Sequence, residues 1–589
     1  MRTIDTSVLI VGAGPAGLTA TALLARSGVQ TITVTKYGGT ANSPRAHITN
    51  QRSGEVFRDL GIEDRVAALA TPHHLMGNNV WATSFTGQEI ARLMTWGAGI
   101  ERNADYQASS PSQMCNAPQH ILEPVILEAA RESGADIRFA TELVAISQDE
   151  DGVLATVRER TTGSEYAIRA QYVIGADGGR STVATRLGFT FDGESGLGAA
   201  VNVWLEADLT PYTAHRPGTL YWMCQPGNDY WVGSGTFICV KPWTEWVMLF
   251  MYDPADGEPD ISEEAMLARA RTTIGDPEVA VRIKAVSRWE INHLVAAEYR
   301  KGRAFLVGDA AHRHPPANGL GSNTSIQDSY NLAWKLAAVV HGQAGPELLD
   351  SYDAERRPVG KQVVDRAMKS VADMLPISQA LGFRPGQSAE EGWASLAEVF
   401  ADSDAAQQRR TALKQAVALQ NYQFNSHGVE MGQRYDSGAV IDDGTPYPPF
   451  ERDPELYYHP TTHPGAYLPH AWLQHGTQRL STLDLAGRGS FSLITGVGGE
   501  PWLDAAKKMA AEYRIDLPAH SVGARCAYDD VYGDWADLRE ITDHGCLLIR
   551  PDRHIAWRSH DLPADPEQAL REALDRILAR PAAVRRPAN

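Results

Sequence analysis

Cysteine is scarce in this chain. Only Cys115, Cys224, Cys239, Cys526 and Cys546 occur in 589 residues, and no two are spaced as CxxC. An odd, scattered set fits neither a disulfide framework nor a zinc site, and suits a reducing cytoplasm where thiols stay unpaired. Basic charge is also short: 54 Lys and Arg stand against 72 Asp and Glu, a formal net charge of −18. Nucleic acid and anionic membrane both need a basic face, so neither is expected as a partner. Long apolar runs are missing too; none reaches about 18 uninterrupted residues, so no transmembrane helix is expected. The apolar run from Val8 to Leu18 is broken by three glycines and a proline, with no cleavage pattern after it. It reads as a buried strand and turn rather than a secretory signal.

What is present is ordinary globular material, 43% apolar and 21% charged, enough for two to four domains with full cores. Thr6–Gly12 is a short β-rich run, Leu18–Ser27 reads as a helix and Thr31–Thr35 as a second strand, which together make a β-α-β unit. Leu122, Val125, Ile126 and Ala129 share one face of a helix expected over Pro118–Ser133. Residues 190–297 are β-rich and aromatic and predict an antiparallel layer. A buried strand at Gly302–Val307 leads to a long helix from about Ser325 to His341, and further helices are expected near 345–380 and 388–418.

Three glycine-containing turns follow apolar β-runs. In Gly12-Ala-Gly14-Pro-Ala-Gly17 the first glycine makes a tight turn and the second lets backbone approach a pyrophosphate. The third lets the helix close on the strand, with the helix N-terminus facing the phosphates. The acidic residue expected about 20 positions later, to hold a ribose, is missing; Thr35-Lys36 stand there. The other two turns are Gly175-Ala-Asp177-Gly178-Gly179 and Gly308-Asp309-Ala-Ala-His312. Each places a short carboxylate at a strand end, where it could meet ribose or ribityl hydroxyls or simply close an Asx turn. No second GxGxxG follows a strand, so no separate nicotinamide domain is expected.

In this order the three turns resemble the group A flavoprotein aromatic monooxygenases. The likeness is nearest to the bacterial phenol hydroxylases, through Pro44-Arg-Ala-His-Ile-Thr-Asn-Gln-Arg52, Met114–Pro124, His312–Asp328, Asn421–Gly428 and Arg550–Asp552. The resemblance implies an α/β fold: a Rossmann-like FAD-binding domain, an inserted β-sheet substrate domain and a C-terminal thioredoxin-like domain without CxxC. The FAD domain is expected over 1–189, with substrate-domain strands near 75–110, and again over 298–420. The substrate sheet would span 190–297, a connector 421–461 and the C-terminal domain 462–589. The resemblance also implies a homodimer.

It further implies FAD as cofactor, NADPH or NADH as transient co-substrate, and O2 trapped on reduced flavin as a C4a-hydroperoxide that hydroxylates a phenolic substrate ortho to its hydroxyl. Gly12, Gly14, Gly17, Arg45, Gln119, Asp177, Gly178, Asp309, Pro316, Gly319, Gly321, Ser322 and Asn323 are expected to bind FAD. A phenol has a pKa near 10, so only about one molecule in a thousand is ionised at pH 7. His47, beside Arg45, is expected to act as the base, and these two form the catalytic pair. His47, Trp96, Asn116, Tyr221, Trp222 and Trp231 are the expected substrate contacts. His312 and His314 form an HxH pair without a third ligand, read as pocket lining or helix-entry hydrogen bonding, so no metal is expected. Three other readings stay open: a hydroxylase of larger polycyclic or polyketide aromatics, a flavin-binding scaffold without turnover, and a nicotinamide dehydrogenase.

Overall fold

The computed structural model describes residues 2–227 and 235–580. Trp231, one of the expected substrate walls, lies outside them. The chain first builds a sheet around the Thr3–Val11 strand. Its order is Arg300–Lys301, Ala304–Leu306, Glu165–Gly175, Thr3–Val11, Thr31–Val34, Asp136–Arg138. From Ala304–Leu306 to Asp136–Arg138 all neighbours are parallel, whereas Thr141–Gln148 and Val153–Glu159 form an antiparallel flap on Glu165–Gly175. The middle strands are continuous apolar runs because helices cover both faces. Pro15–Arg26 is one of these helices, starting earlier than its periodicity suggested because Pro15 takes the first helical position.

A second sheet is mixed and strongly aromatic. It runs His312–Arg313, Arg282–Ala296, Phe191–Glu206, Glu245–Tyr252, Gly235–Lys241, Gly218–Met223, Asn78–Ala82, Glu89–Met94. Two strands from the 75–110 region therefore join those from 190–297. The Glu263–Ile274 helix, which lacks a clean apolar stripe and was not expected, covers one face and buries Met266, Ala270 and Ile274 with Tyr221, Phe237 and Trp246. The opposite face packs Trp81 and Trp222 with Ile48, Ile377, Leu381 and Val417.

The long helix is Gly321–Val340, and Asp350–Asp373, Leu375–Leu381, Ala389–Val399 and Asp404–Leu419 follow it. The C-terminal unit has a four-stranded sheet ordered Ala519–Ser521, Ser492–Thr495, Cys546–Ile549, Ile555–Ser559, carrying the Glu500–Tyr513 and Pro566–Ile577 helices. All five cysteines are free. No described helix is long and apolar enough to cross a membrane.

Candidate active site

Turns more than a hundred residues apart in sequence meet at one sheet edge. Ala304–Leu306, Glu165–Gly175 and Thr3–Val11 are adjacent and parallel, so the turns after their carboxyl ends lie side by side. This is where open α/β sheets bind ligands. The turns are fused by backbone: Ala176 N–H donates to Val11 O (2.8 Å) and Val307 N–H to Gly175 O (3.0 Å). Gly12 has φ +111°, and a Cβ there would sit 2.1 Å from Ala176 O. A Cβ on Gly17 would meet Gly12 O at 2.0 Å, whereas one on Gly14 would find nothing nearer than Glu123 Oε1 at 3.9 Å. Gly12 and Gly17 thus serve packing, and Gly14 keeps one side open. The Pro15–Arg26 and Gly321–Val340 helices have no side-chain cap and no acidic residue in the first turn. Their first N–H groups remain free for anionic or electron-rich groups.

The two Gly–Asp turns differ. Asp309 is exposed to the cleft although protein surrounds it closely, and that burial raises its carboxyl against the opposing pull of His312, Arg313 and Arg45. Asp177 instead turns inward. It accepts from Ser181 Oγ (2.5 Å), Thr182 N–H (2.7 Å) and Val183 N–H (3.2 Å), capping a short helix. Its carboxylate, expected to meet cofactor hydroxyls, is half-buried in this capping role. Gly178 beside it takes φ +77° with nothing within 4 Å of a would-be Cβ.

The segment from Pro44 to Arg52 crosses in front of this edge. Arg45 is exposed and His47 half-buried, and Ala46 between them takes φ 41°, a conformation that costs an alanine about 1–3 kcal/mol. It is held from both sides: Gln119 N–H donates to Arg45 O and Ala117 N–H to His47 O, each at 2.8 Å. These bonds bring Asn116 and Gln119 beside Arg45 and His47. His47 Nδ1 has no hydrogen-bond partner among the described residues. Burial, reinforced by His120, lowers its pKa to about 3, so the ring is neutral at pH 7.

Asn50, Gln51 and Arg52 each nail this segment down. Asn50 N–H donates to Asn323 Oδ1 (3.0 Å), and Asn323 Nδ2 donates to Ile48 O (2.8 Å) and Gly319 O (2.7 Å). The side chain of Asn323, a residue expected to bind cofactor, is buried in this cross-link, while its N–H stands in the first turn of the Gly321–Val340 helix. Gly319, at φ +64°, packs against Ile48, where a Cβ would meet side-chain carbons at 3.0 Å. Pro316, Gly321 and Ser322 stay at least partly exposed on the same loop and helix start.

His312 proves structural. Its Nε2 bonds Asp328 Oδ2 at 2.9 Å; Asp328 also accepts from Arg356 Nε (2.8 Å) and Gly308 N–H (3.0 Å). Burial would raise the Asp328 carboxyl, but Arg356, His312 and that N–H outweigh it and hold it low. The helix-entry reading of His312 stands, and the pair's other member, His314, is lowered to about 4 by burial and His312.

Among the expected substrate walls, Trp96 and Trp222 share a cluster with Ile48, Trp81, Met374 and Phe424. Trp96 meets Phe424 edge-on at 5.6 Å and Trp222 lies parallel to Trp81 at 6.5 Å. Tyr221 does not join them. Alternation along Gly218–Met223 sends it to the opposite face, where its hydroxyl donates to Arg216 O (2.9 Å). It packs the sheet's other core and is not a substrate wall. Asn116 donates to Cys239 O (2.7 Å), leaving its buried Oδ1 without a partner.

Two residues were missed. Glu123 is 2% exposed and accepts from Gln119 Nε2 (2.6 Å) and Ala41 N–H (2.5 Å) beside Gly14. His120 lies close enough to depress His47. Both follow Gln119 on its helix, and their place beside an expected cofactor residue was the available signal.

Glu430 is fully enclosed, neither carboxyl oxygen has a hydrogen-bond partner among the described residues, and burial raises its pKa to about 8 against a weaker pull from Arg102. Between pH 4.5 and 8 the folded chain therefore keeps a proton that the unfolded chain releases, and stability falls as pH rises. Glu430→Gln is expected to match the wild type near pH 4.5 and to exceed it at pH 8 by ~3–5 kcal/mol. Urea midpoints across that range check this; parallel curves would contradict it.

Known proteins match this arrangement over nearly the whole chain. The family model for an FAD binding domain matches residues 5–367, and that for the C-terminal region of aromatic-ring hydroxylases matches residues 461–581. The chain is 47% identical to a 2,4-dichlorophenol 6-monooxygenase of Delftia acidovorans, covering 98% of each. It is 44% identical to a phenol 2-monooxygenase of a Pseudomonas species, covering 97% of this chain and 92% of that one. The crystal structure of the flavin-dependent monooxygenase PieE, in complex with FAD and substrate, superposes with a TM-score of 0.95 at 50% identity, covering 99% of this chain and 100% of that one. Aklavinone-11 hydroxylase with FAD and aklavinone gives 0.78 at 30% identity, covering 98% and 100%.

Proposed function

The chain belongs to the FAD-dependent aromatic-ring hydroxylases, and from that premise we propose that it hydroxylates a phenol ortho to the existing hydroxyl, using NAD(P)H and O2. Bound FAD supplies the chemistry that activates oxygen for transfer to the ring. The residues present suit that cofactor. The open side of Gly14 and the uncapped start of the Pro15–Arg26 helix would take the pyrophosphate. Asp309 would take ribityl hydroxyls, Arg45 and Gln119 would flank the cofactor, and the start of the Gly321–Val340 helix would face the ring's pyrimidine end.

The observation that carries the reading is His47: a neutral imidazole with a free Nδ1, in a segment tied to the turn after Pro316 and near the Trp96–Trp222 cluster. A neutral ring can accept the hydrogen bond of a phenol. Its lowered basicity means that the proton moves fully only while imidazolium and phenolate stay paired in the cleft, where each offsets the other's desolvation. Ionisation raises electron density at the ring carbons ortho and para to the oxygen, and the way the ring is held would select the ortho one. Asn116, with a free buried Oδ1, and the two tryptophans would orient the ring.

Relatives named for tetracenomycin substrates, at 34–36% identity, support a second reading, a polycyclic phenol in the same cleft. The C-terminal strand-helix-strand-strand-strand-helix unit supports a thioredoxin-like fold, and its lack of CxxC a role other than redox. The scattered free thiols support a reducing cytoplasm, and the family likeness a homodimer. Purified protein is expected to be yellow and to release FAD on denaturation. NAD(P)H consumption, aromatic product and peroxide are then measured with simple and polycyclic phenols. Colourless protein that takes up no FAD, or NAD(P)H oxidation without hydroxylated product from any phenol, would overturn the proposal.

A further inference from the structure

The C-terminal unit reaches the candidate active site through one side chain. Arg52 lies five residues past His47, at the start of the Gln51–Leu60 helix, and is 5% exposed. Its Nη1 donates to Glu55 Oε2 (2.5 Å) and its Nη2 to Met431 O (2.9 Å). The flat face of the guanidinium rests on the ring of Tyr467, with Cζ 3.2 Å from the ring centre. Tyr467 is itself fixed. Its ring meets that of His554 edge-on at 5.1 Å, and His554 stacks on Tyr435 at 3.9 Å. All four residues are at least nine-tenths buried. They form a continuous column of flat groups from the C-terminal unit to the segment that bears Arg45 and His47.

A lysine could not complete this column. Only a planar cation stacks on a ring while its edges donate to a carboxylate and a carbonyl. The same helix is gripped again by the C-terminal unit, since Arg553 Nη1 donates to Glu55 O at 2.8 Å. At the other end of the segment Asn50 is tied to Asn323, and through it to Ile48 and Gly319. His47 thus sits on a short arm clamped to the loop that would face the flavin on one side and to the C-terminal unit on the other.

We propose that Tyr467 and Arg52 are positioning residues for the reaction: the C-terminal unit, through its aromatic column, sets where His47 stands relative to the bound flavin and phenol. This rests on the reading of His47 under the proposed function. A shift of about 1 Å at a reacting group costs on the order of a hundredfold in rate.

The test uses the full-length FAD-loaded enzyme. Tyr467→Leu removes the flat face, and Tyr467→Phe keeps it. Tyr467→Leu is expected to lower kcat for hydroxylation about tenfold to a hundredfold, with KM moving far less, and to divert NAD(P)H into peroxide. The visible circular dichroism of its flavin should change as well, and Tyr467→Phe should restore all of these. A merely structural role would lower Tm and leave kcat, product yield and flavin dichroism untouched well below Tm; that result overturns the proposal. Should Tyr467→Leu not fold, Arg52→Lys is read in its place, since it keeps a cation near Glu55 and loses the stacking plane. Wild-type yield on the same phenol separates the two levels: no product from wild type defeats the functional reading, whereas normal product from the folded variants defeats only this inference.

Discussion

His47→Ala enzyme is expected to hydroxylate its phenol about 10²–10⁴-fold more slowly while still binding FAD. His47 Nδ1 is buried and has no hydrogen-bond partner among the described residues. The Gly14 turn and Asp309, which would hold the cofactor, lie on other elements, so flavin content should stay near one per chain. Flavin reduction by NAD(P)H should continue, and the reducing equivalents should emerge as peroxide because an un-ionised phenol is a poor acceptor of the transferred oxygen.

The pH profile separates this role from simple packing. In the wild type His47 is neutral throughout the physiological range, its pKa being lowered to about 3 by burial and His120. Loss of activity toward acid should therefore not track an ordinary histidine titration near 6.5. In His47→Ala, rate should rise steeply toward alkaline pH as solvent ionises the phenol, and phenols of lower pKa should suffer least. Near-wild-type turnover with intact coupling, or a defect equal for all phenols, would defeat the assignment.

Glu355→Ala is expected to cost ~3–5 kcal/mol of stability, because it takes a carboxylate from the buried Arg550 cation and forces Lys335 to give up its proton. Glu355 accepts from Lys335 Nζ (2.6 Å), from Arg550 Nη1 (2.6 Å) and from Asn331 Nδ2 (2.7 Å), and all three charged groups are essentially without solvent. Burial tends to raise the Glu355 carboxyl, but Arg550 and Lys335 overcome it and bring it to about 2. Burial brings Lys335 down to about 8, opposed by Glu355, so without that partner the lysine enters the folded state neutral. Arg550 cannot shed its proton and keeps only Asp552, at 2.5 Å.

Because Arg550 belongs to the C-terminal unit and Lys335 and Glu355 to the Gly321–Val340 and Asp350–Asp373 helices, the loss should appear as loosening between them. Urea unfolding followed by circular dichroism and by tryptophan fluorescence should show an earlier transition, and adding Lys335→Met to Glu355→Ala should recover part of the loss. A shift below about 1 kcal/mol in Glu355→Ala would mean that the network contributes little.

Much of this was legible in the chain alone, for local reasons. Gly12, Gly14 and Gly17 sit where a tight turn, an open face and a close helix are required, and no other residue meets the backbone geometry at Gly12. The parallel strands announce themselves as apolar runs, and the family likeness extends almost end to end. Departures arose where side-chain direction decides the outcome. Asp177 and Asp309 look alike in sequence, since each follows a strand-ending glycine. Only the short helix at Thr182 captures the first, while the second is left facing the cleft.

Tyr221 and Trp222 are neighbours, and strand alternation sends them to opposite faces. Which face meets the cleft depends on where the Glu263–Ile274 helix docks, and that helix has no clear periodicity to betray it. Asn323 and His312 lie in motifs of the family, Asn323 read as a cofactor residue and His312 as pocket lining or helix-entry hydrogen bonding. Their actual bonds, to Ile48, Gly319 and Asn50 in one case and Asp328 in the other, join residues up to 275 positions apart.

The sequence by itself determined the class of cofactor, the order of its binding turns and the candidate base, because these depend on local backbone geometry and on short motifs. Tertiary structure alone decided which polar groups remain free. Burial leaves His47 neutral, turns Asp177 inward, leaves the Glu430 carboxyl without a hydrogen-bond partner among the described residues and sets Arg52 on Tyr467. Desolvation and hydrogen-bond satisfaction belong to the packed chain, since each depends on atoms that only folding brings within a few ångströms.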